Sequence, residues 1–305
     1  MPFDIALAFD KAKYLDPQIY LFASSIKDKI PKDTVFHIVT NRNREDEPLQ
    51  YLLSNLNCVS ILYQNDEYPD LSSRCRYMLN AFKINPNNPW VIKMELDFVF
   101  LKHLSAFEEI LDNNLDLVLE PENRRIFQED EEKRLWRMMY KTMDIPVPTQ
   151  KIKFRENNEE GLPLFGTGLI CVKSNLIDKI NENWIPLTKK VEPWLEMNTH
   201  PNEQAYSALI FREGWKWKIY NRKFKLNPIG LFRKGEFPSK ELIDNCILPE
   251  DTVIFDYHRP SWLLKIAEHN ENVNKYIKEC KEFIPDEWWD LTSTQFREKF
   301  NDNRA

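Results

Sequence analysis

Short apolar runs alternate along this chain with longer segments whose apolar residues recur at helical spacing. Ile5–Phe9 and Val35–Val39 contain few polar breaks, which is typical of strands buried on both faces. Further strands are predicted at 59–63, 90–101, 115–120, 169–172, 215–220 and 253–258. Helices are predicted at 14–30, 48–56, 71–83, 174–190, 201–213, 262–283 and from Pro285 onwards. This alternation predicts an α/β fold with a mostly parallel central sheet and helices on both faces.

The domain organisation follows from the same pattern. The 305 residues contain no internal repeat, long linker or low-complexity tract. We therefore expect a single domain over residues 1–284 and a C-terminal helical tail over residues 285–305. Residues 121–162 depart from the pattern because they are rich in charge and poor in apolar periodicity, and we interpret them as a helix and loop laid over the sheet.

Composition excludes several classes of protein. The net charge is -6, which argues against a general nucleic-acid coat. The sequence contains no apolar run of about 18 residues, so no membrane span is expected. Its first residues lack the features of a signal peptide. The five cysteines are scattered and form no CxxC pair, so we expect reduced thiols and a cytoplasmic protein.

A pair of acidic residues stands out in the apolar run from Trp90 to Leu101. Glu95 and Asp97 are two positions apart, so in a strand both carboxylates project from the same face. Burying two like charges side by side is costly, and a divalent cation such as Mn²⁺ or Mg²⁺ is the usual remedy. The alternative is that the acids reach solvent or a lysine. His258 follows another strand and is a candidate third metal ligand.

Phosphate binding would need side chains, because the sequence has neither a GxxxxGK[ST] loop nor a GxGxxG loop. Basic residues near the candidate strand ends could supply the positive charge: Arg76, Lys93, Arg259 and Lys265. Two of the six glycines, Gly166 and Gly168, flank Thr167. They indicate either a close approach of the backbone to a ligand or a tight turn before a strand.

In their order along the chain, these motifs resemble those of GT-A type glycosyltransferases, whose Rossmann-like half precedes an acidic metal motif. Glu95-Leu96-Asp97, the Phe165–Ile170 segment and the Tyr257–Trp262 segment carry the resemblance. Met94–Asp97, Trp194–Met197 and Arg76-Tyr77 are similar to the hydroxyproline arabinosyltransferase and peptidyl-serine galactosyltransferase group. Glu203-Gln204 is more similar to the glycogenin and lipopolysaccharide galactosyltransferase group.

The resemblance implies a single GT-A-like catalytic domain over 1–284. It also implies transfer of a sugar from a nucleotide diphosphate-sugar, with UDP the expected nucleotide. Asp97 and His258 would hold Mn²⁺ or Mg²⁺, and Glu95 would be a third ligand or a neighbour that orients them. The donor would contact Ala8, Phe9, Asp10, Arg76, Lys93, Gly166, Thr167, Gly168, Arg259, Trp262 and Lys265. The reacting sugar or the acceptor would contact Glu196, Glu203 and Gln204.

The acceptor stays open between a glycan, a protein side chain and a modified nucleobase, and residues 121–162 are a candidate acceptor-binding flap. Two other functions use the same motifs. A metal-dependent nucleotidyltransferase would need basic residues in the first loop, where Lys11 and Lys13 stand without a glycine-rich turn. A non-catalytic nucleotide-sugar binding module would keep the fold without turnover.

Overall fold

The computed structural model describes residues 1–64, 79–121, 137–154, 160–192, 201–221, 223–226, 248–257 and 260–290. Its strands are β1 (Phe3–Phe9), β2 (Phe36–Thr40), β3 (Val59–Tyr63), β4 (Trp90–Met94), β5 (Phe98–Phe100), β6 (Leu117–Pro121), β7 (Ile152–Lys153), β8 (Glu160–Gly161), β9 (Phe165–Lys173), β10 (Trp217–Ile219), β11 (Lys225–Leu226) and β12 (Ile254–Asp256). Its helices are α1 (Asp16–Ile26), α2 (Glu47–Ser54), α3 (Ile177–Val191), α4 (Pro201–Glu213), α5 (Pro260–Ala267), α6 (Glu271–Cys280) and α7 (Asp286–Asp290).

Seven strands form the central sheet, in the order β10-β6-β9-β4-β1-β2-β3. Strand β9 runs antiparallel to both of its neighbours, β4 and β6, and every other pairing in this sheet is parallel. A smaller sheet has the order β11-β12-β5. The expectation of an α/β fold with a mostly parallel sheet is therefore confirmed, and the antiparallel β9 makes the sheet a mixed one.

Side chains on the two faces of the sheet belong to two separate hydrophobic cores. Along β9, Leu169 and Cys171 lie in one core, while Ile170 and Val172 lie in the other, as the strand period of two requires. Helices α1 and α6 pack on each other in the first core, and α3 and α4 pack on each other in the second. Helices thus cover both faces, which leaves the strand ends as the place where a ligand can meet the sheet.

The predicted helix over 14–30 is shorter than expected. Helix α1 begins at Asp16, with Pro17 in its first turn, and ends at Ile26. Asp28 has a φ of 60°, in the left-handed region, so the helix does not continue through it.

The predicted helix over 262–283 is two helices, α5 and α6. The side chain of Asn270 accepts a hydrogen bond of 3.1 Å from the backbone N–H of Val273 and so caps the start of α6. A side-chain cap of this kind starts a new helix where the apolar pattern alone suggested one continuous helix.

The predicted strand over 90–101 is also divided. Strand β4 ends at Met94, β5 begins at Phe98, and the Glu95–Asp97 segment forms the turn between them. Strand β9 begins at Phe165, so Gly166 and Gly168 lie within a strand and not in a turn before one. Both differences place the candidate site residues where the main sheet meets the smaller one.

At the amino ends of the strands, a buried carboxylate ties several segments together. Asp4 accepts hydrogen bonds from the backbone N–H groups of Val35, Asn87 and Asn88, from the Asn88 amide and from the His37 ring. Burial alone would raise the pKa of Asp4, but these hydrogen bonds outweigh it and lower the pKa to about 2. The Asp4 carboxylate is therefore well hydrogen-bonded, and it holds these segments together at this end of the sheet.

Among the helices that the structure describes, none is both long and apolar enough to cross a bilayer. Cys58, Cys171 and Cys280, the cysteines within the described ranges, are free thiols.

Candidate active site at the carboxyl ends of the strands

The candidate residues gather at one edge of the sheet because of strand direction. β1 and β4 are parallel neighbours with Leu7 opposite Met94, so Asp10 and the Glu95–Asp97 turn emerge side by side. Strand β9 is antiparallel to β4, and its first residues therefore lie at the same edge. The carboxyl ends of parallel strands are where ligands bind in open α/β sheets.

The acidic turn is anchored to the smaller sheet. The antiparallel register places Asp256 opposite Phe98, and the backbone N–H of Tyr257 donates a hydrogen bond of 3.1 Å to the Asp97 carbonyl. Tyr257 is fully buried, and its pKa is raised by burial and further by the nearby Asp97 and Asp256 carboxylates. The end of β12 is thereby fixed beside Asp97. His258, the next residue, lies outside the described residues.

Glu95 meets a lysine, as the alternative interpretation of the acidic pair anticipated. The Lys93 ammonium group lies 3.2 Å from Glu95 Oε1 and donates a hydrogen bond to the Thr167 carbonyl. Lys93 is fully buried, and burial lowers its pKa while Glu95 opposes that shift. We expected Lys93 to contact the donor, but its ammonium group points to internal partners instead.

A second buried lysine, which sequence reasoning missed, completes a cluster of charges. Lys225 Nζ lies 3.0 Å from Glu120 Oε2 and 2.9 Å from Asp256 Oδ2. Tyr220 donates its hydroxyl hydrogen to Glu120 Oε2. Burial alone would lower the pKa of Lys225, but Asp256 and Glu120 outweigh burial and hold the pKa well above its usual value.

The cluster explains why residue 168 is a glycine. A Cβ atom there would lie 2.8 Å from Lys225 Nζ, which is too close, and 3.1 Å from Glu95 Oε2, which is tight enough that the carboxylate would have to shift. Gly168 therefore makes room for buried charges on the side where a side chain would stand.

The first turn of α4 docks against the neighbouring residue of β9. Asn202 Nδ2 donates to Thr167 Oγ1 at 3.0 Å, and the Asn202 carbonyl accepts from the Trp184 ring nitrogen at 2.7 Å. Within that turn Glu203 is 8% exposed and Gln204 is fully buried. Neither the oxygen nor the nitrogen of the Gln204 amide has a hydrogen-bond partner in the part of the chain that the structure describes. A buried amide without partners is costly, so this group is a candidate contact for a bound molecule.

The loop after β1 is held by Arg42, another residue that sequence reasoning missed. Ala8 and Phe9 are buried at the end of β1, and Asp10 follows them half-buried. Arg42 Nε donates to the Asp10 carbonyl at 2.9 Å, and Nη2 donates to the Ala12 carbonyl at 3.0 Å. The backbone in this loop is therefore fixed before any ligand arrives.

The remaining predicted residues divide into two sets. Trp262 is half-buried in the first turn of α5, and Lys265 is exposed one turn later. The others lie outside the described residues: Arg76, Glu196, His258 and Arg259. Within the described ranges, no three His, Cys, Asp or Glu side chains are arranged to hold a metal ion.

Comparison with known proteins gives the class of fold. No protein-family model matches the chain, and no curated protein matches it in sequence. Among solved structures, it is similar to the galactosyltransferase LgtC in complex with donor and acceptor sugar analogues, with a TM-score of 0.58, 13% identity, and coverage of 93% of this chain and 98% of that one.

Two further structures support the same class. Mouse xyloside xylosyltransferase 1 matches with a TM-score of 0.51 and 13% identity, over 84% of this chain and 97% of that one. GlyE of Streptococcus pneumoniae TIGR4 matches with a TM-score of 0.53 and 12% identity, over 97% of this chain and 63% of that one. At such low identity the likeness establishes the fold, and the expected resemblance to GT-A glycosyltransferases is confirmed at that level.

Proposed function

We propose that this protein is a metal-dependent glycosyltransferase that moves a sugar from a nucleotide diphosphate-sugar, with UDP as the nucleotide, to an acceptor hydroxyl. The observation that carries the proposal is the Gln204 amide, which is fully buried in the first turn of α4. Both of its polar atoms lack partners in the described structure, and the turn that carries it contacts Thr167 at the carboxyl edge of the sheet. One of the similar LgtC structures is of an active-site mutant in which glutamate replaces a glutamine, which supports a role for a glutamine here.

The nucleotide would lie across the end of β1. Ala8, Phe9 and Asp10 would contact it there, since Arg42 holds this backbone in place. Arg76 and Arg259 remain the predicted contacts for the diphosphate, with Trp262 and Lys265 from α5 as further candidates. Lys93 would support the site without touching the nucleotide, because its ammonium group is buried against Thr167 and Glu95.

A divalent cation fits the chemistry of this edge. Hard cations prefer carboxylate oxygens as ligands, and this edge carries the acidic side chains of Asp97, Glu95, Glu120 and Asp256. We propose that Asp97 and His258 hold the ion, since the backbone of Tyr257, the residue before His258, is bonded to Asp97. A bound Mn²⁺ or Mg²⁺ would stabilise the negative charge on the departing diphosphate.

The reaction would break the bond between the anomeric carbon and a diphosphate oxygen, and the electron pair would leave with the nucleoside diphosphate. The acceptor oxygen would bond to the anomeric carbon, and its proton would pass to a base. Glu203 is a candidate for that base or for electrostatic support, beside Gln204, and Glu196 remains a further one. The acceptor is predicted to be a glycan, a protein side chain or a modified nucleobase.

The test is an assay of released nucleoside diphosphate with Mn²⁺ and a panel of nucleotide sugars. We expect Asp97→Asn and Gln204→Ala to lower turnover at least about a hundredfold, the scale of losing an electrostatic group at the reacting centre. The exposed residues Asp112 and Gln50 provide matched controls, Asp112→Asn and Gln50→Ala, which should keep full turnover.

Three results would contradict the proposal in different ways. Full wild-type activity in excess chelator would remove the metal. Release of pyrophosphate from a nucleoside triphosphate would favour a nucleotidyltransferase. Binding of nucleotide sugars without turnover on any acceptor would favour a binding module.

A further inference from the structure

Two buried hydrogen bonds join helix α4 to the start of strand β9. Asn202 Nδ2 donates to Thr167 Oγ1 at 3.0 Å, and the backbone N–H of Phe165 donates to Ser207 Oγ at 2.9 Å. All four residues are at most 1% exposed. Gln204 lies between Asn202 and Ser207 in the same helix, so both contacts constrain where it stands.

The contact between Asn202 and Thr167 is held from both sides. The Asn202 carbonyl accepts a hydrogen bond of 2.7 Å from the Trp184 ring nitrogen on α3. The Thr167 carbonyl accepts a hydrogen bond from the Lys93 ammonium group on β4. Because these groups are buried, water does not replace a partner that is removed. The first turn of α4 therefore has a fixed place against β9.

The Thr167 hydroxyl faces the helix. We expected Thr167 to contact the donor, but its side chain is fully buried and its oxygen accepts from Asn202. A side chain enclosed in this way acts on a bound molecule through the groups that it holds. Here the held group is the turn that carries Gln204, and misplacing a reacting or binding group by about 1 Å costs on the order of a hundredfold in rate.

We propose that Thr167 and Asn202 are positioning residues, whose side-chain hydrogen bond places the Gln204 amide against the donor sugar. This inference rests on the proposed function, in which Gln204 contacts that sugar. It adds the pair of residues that holds Gln204 in place, and it gives the Thr167 hydroxyl a role that does not require contact with the donor.

The test compares three threonine variants. Thr167→Val removes the hydroxyl and keeps the size of the side chain, while Thr167→Ser keeps the hydroxyl. Thr188→Val is the matched control, since Thr188 is a fully buried threonine on α3 whose hydroxyl donates to the Trp184 carbonyl at 2.9 Å. Each variant is measured for melting temperature, for turnover and for the ¹⁵N NMR signal of the Gln204 side-chain amide, which is assigned by its absence in Gln204→Ala.

We expect Thr167→Val to lower turnover at least about tenfold and to shift the Gln204 amide signal, because the turn is no longer held. Thr167→Ser and Thr188→Val should stay within about threefold of wild-type turnover and leave the signal in place. Asn202→Ala removes the other partner of the same hydrogen bond and should shift the signal as Thr167→Val does. Thr167→Val added to Gln204→Ala should lower turnover by no more than about twofold further, since a positioning residue acts through the amide that it places.

Two results would overturn the inference. If Thr167→Val melts at a lower temperature but keeps its turnover and its Gln204 signal, the hydrogen bond only stabilises the fold. If Thr167→Val lowers turnover by the same factor in wild type and in Gln204→Ala, the hydroxyl acts on the reaction without Gln204.

Failure of the proposed function looks different from failure of this inference. A wild-type protein that turns over no nucleotide sugar would refute the proposed function. The NMR signal would still decide on positioning, because an unchanged Gln204 amide in Thr167→Val overturns it without reference to activity.

Discussion

Removing the Arg42 guanidinium group should destabilise the fold and weaken nucleotide binding together. Arg42 is 2% exposed, and besides the Asp10 and Ala12 carbonyls it pairs with Asp16 Oδ1 at 2.6 Å and Asp46 Oδ1 at 2.9 Å. Asp46 in turn caps α2. Arg42→Met therefore removes, in one substitution, the hydrogen bonds and ion pairs that hold the loop after β1, the start of α1 and the start of α2.

The expected magnitude follows from burial. Removing one partner of a buried ion pair costs about 3–5 kcal/mol, because the other charge is left without compensation. Here the two carboxylates keep 28% and 27% exposure, so water would screen part of their charge and the lower end applies. We expect Arg42→Met to lower the free energy of unfolding by about 3 kcal/mol. Arg42→Lys should lower it by less, because an ammonium group retains the positive charge although it lacks the planar, forked geometry of the guanidinium group.

Urea unfolding followed by circular dichroism would measure the stability, and calorimetry with UDP and Mn²⁺ would measure nucleotide affinity. Arg44→Met is the matched control, since Arg44 is exposed two residues further along and should change stability by no more than about 0.5 kcal/mol. If Arg42→Met were as stable as Arg44→Met, the guanidinium group would not be holding these segments together. If Arg42→Met were less stable but bound UDP with unchanged affinity, the loop after β1 would not be part of the nucleotide site.

Two further predictions concern pH. Because the pKa of Asp4 is lowered to about 2 in the folded state, its charge contributes about 2 kcal/mol above pH 4, and this is lost as pH falls towards 2. Asp4→Asn should therefore melt at a lower temperature than wild type at pH 7, and the difference in melting temperature should shrink as pH falls towards 2. A difference that stays constant with pH would show that the Asp4 charge does not stabilise the fold. Burial, with the Lys275 charge nearby, lowers the pKa of Lys29 to about 8 in the folded state. The charged lysine therefore destabilises the folded state below pH 8, and this destabilisation is relieved as pH rises from 8 to 10.5. Lys29→Met should flatten the rise in melting temperature over that range, and an unchanged profile would show that another group causes it.

The sheet could be predicted from the sequence because its strands bury both faces. Runs such as Ile5–Phe9 are apolar throughout, and this needs no knowledge of partners. The turn at Glu95–Asp97 could not be predicted in this way, since Met94 and Phe98 on either side are both buried and apolar. The division depends on β5 leaving the main sheet to pair with β12, more than 150 residues later.

The charged residues of the site were harder to predict than the strands, because their partners are distant in the sequence. Lys225 meets Glu120 from β6 and Asp256 from β12, and nothing near Lys225 in the sequence marks it as buried. Arg42 follows β2 but holds the loop after β1. By contrast, the acidic pair could be found from sequence because two acids inside one apolar run are locally unusual.

Buried polar groups point to the carboxyl end of the sheet as the binding edge. At the amino ends, the Asp4 carboxylate accepts five hydrogen bonds from within the protein. At the carboxyl ends, buried lysine and acidic side chains gather around the start of β9, and the buried Gln204 amide has no hydrogen-bond partner in the described structure. A buried amide without partners is costly, and native folds keep such a group where a ligand restores the missing interactions. A bound sugar would supply hydrogen-bonding groups to this amide, and this edge is therefore where the donor is expected to bind.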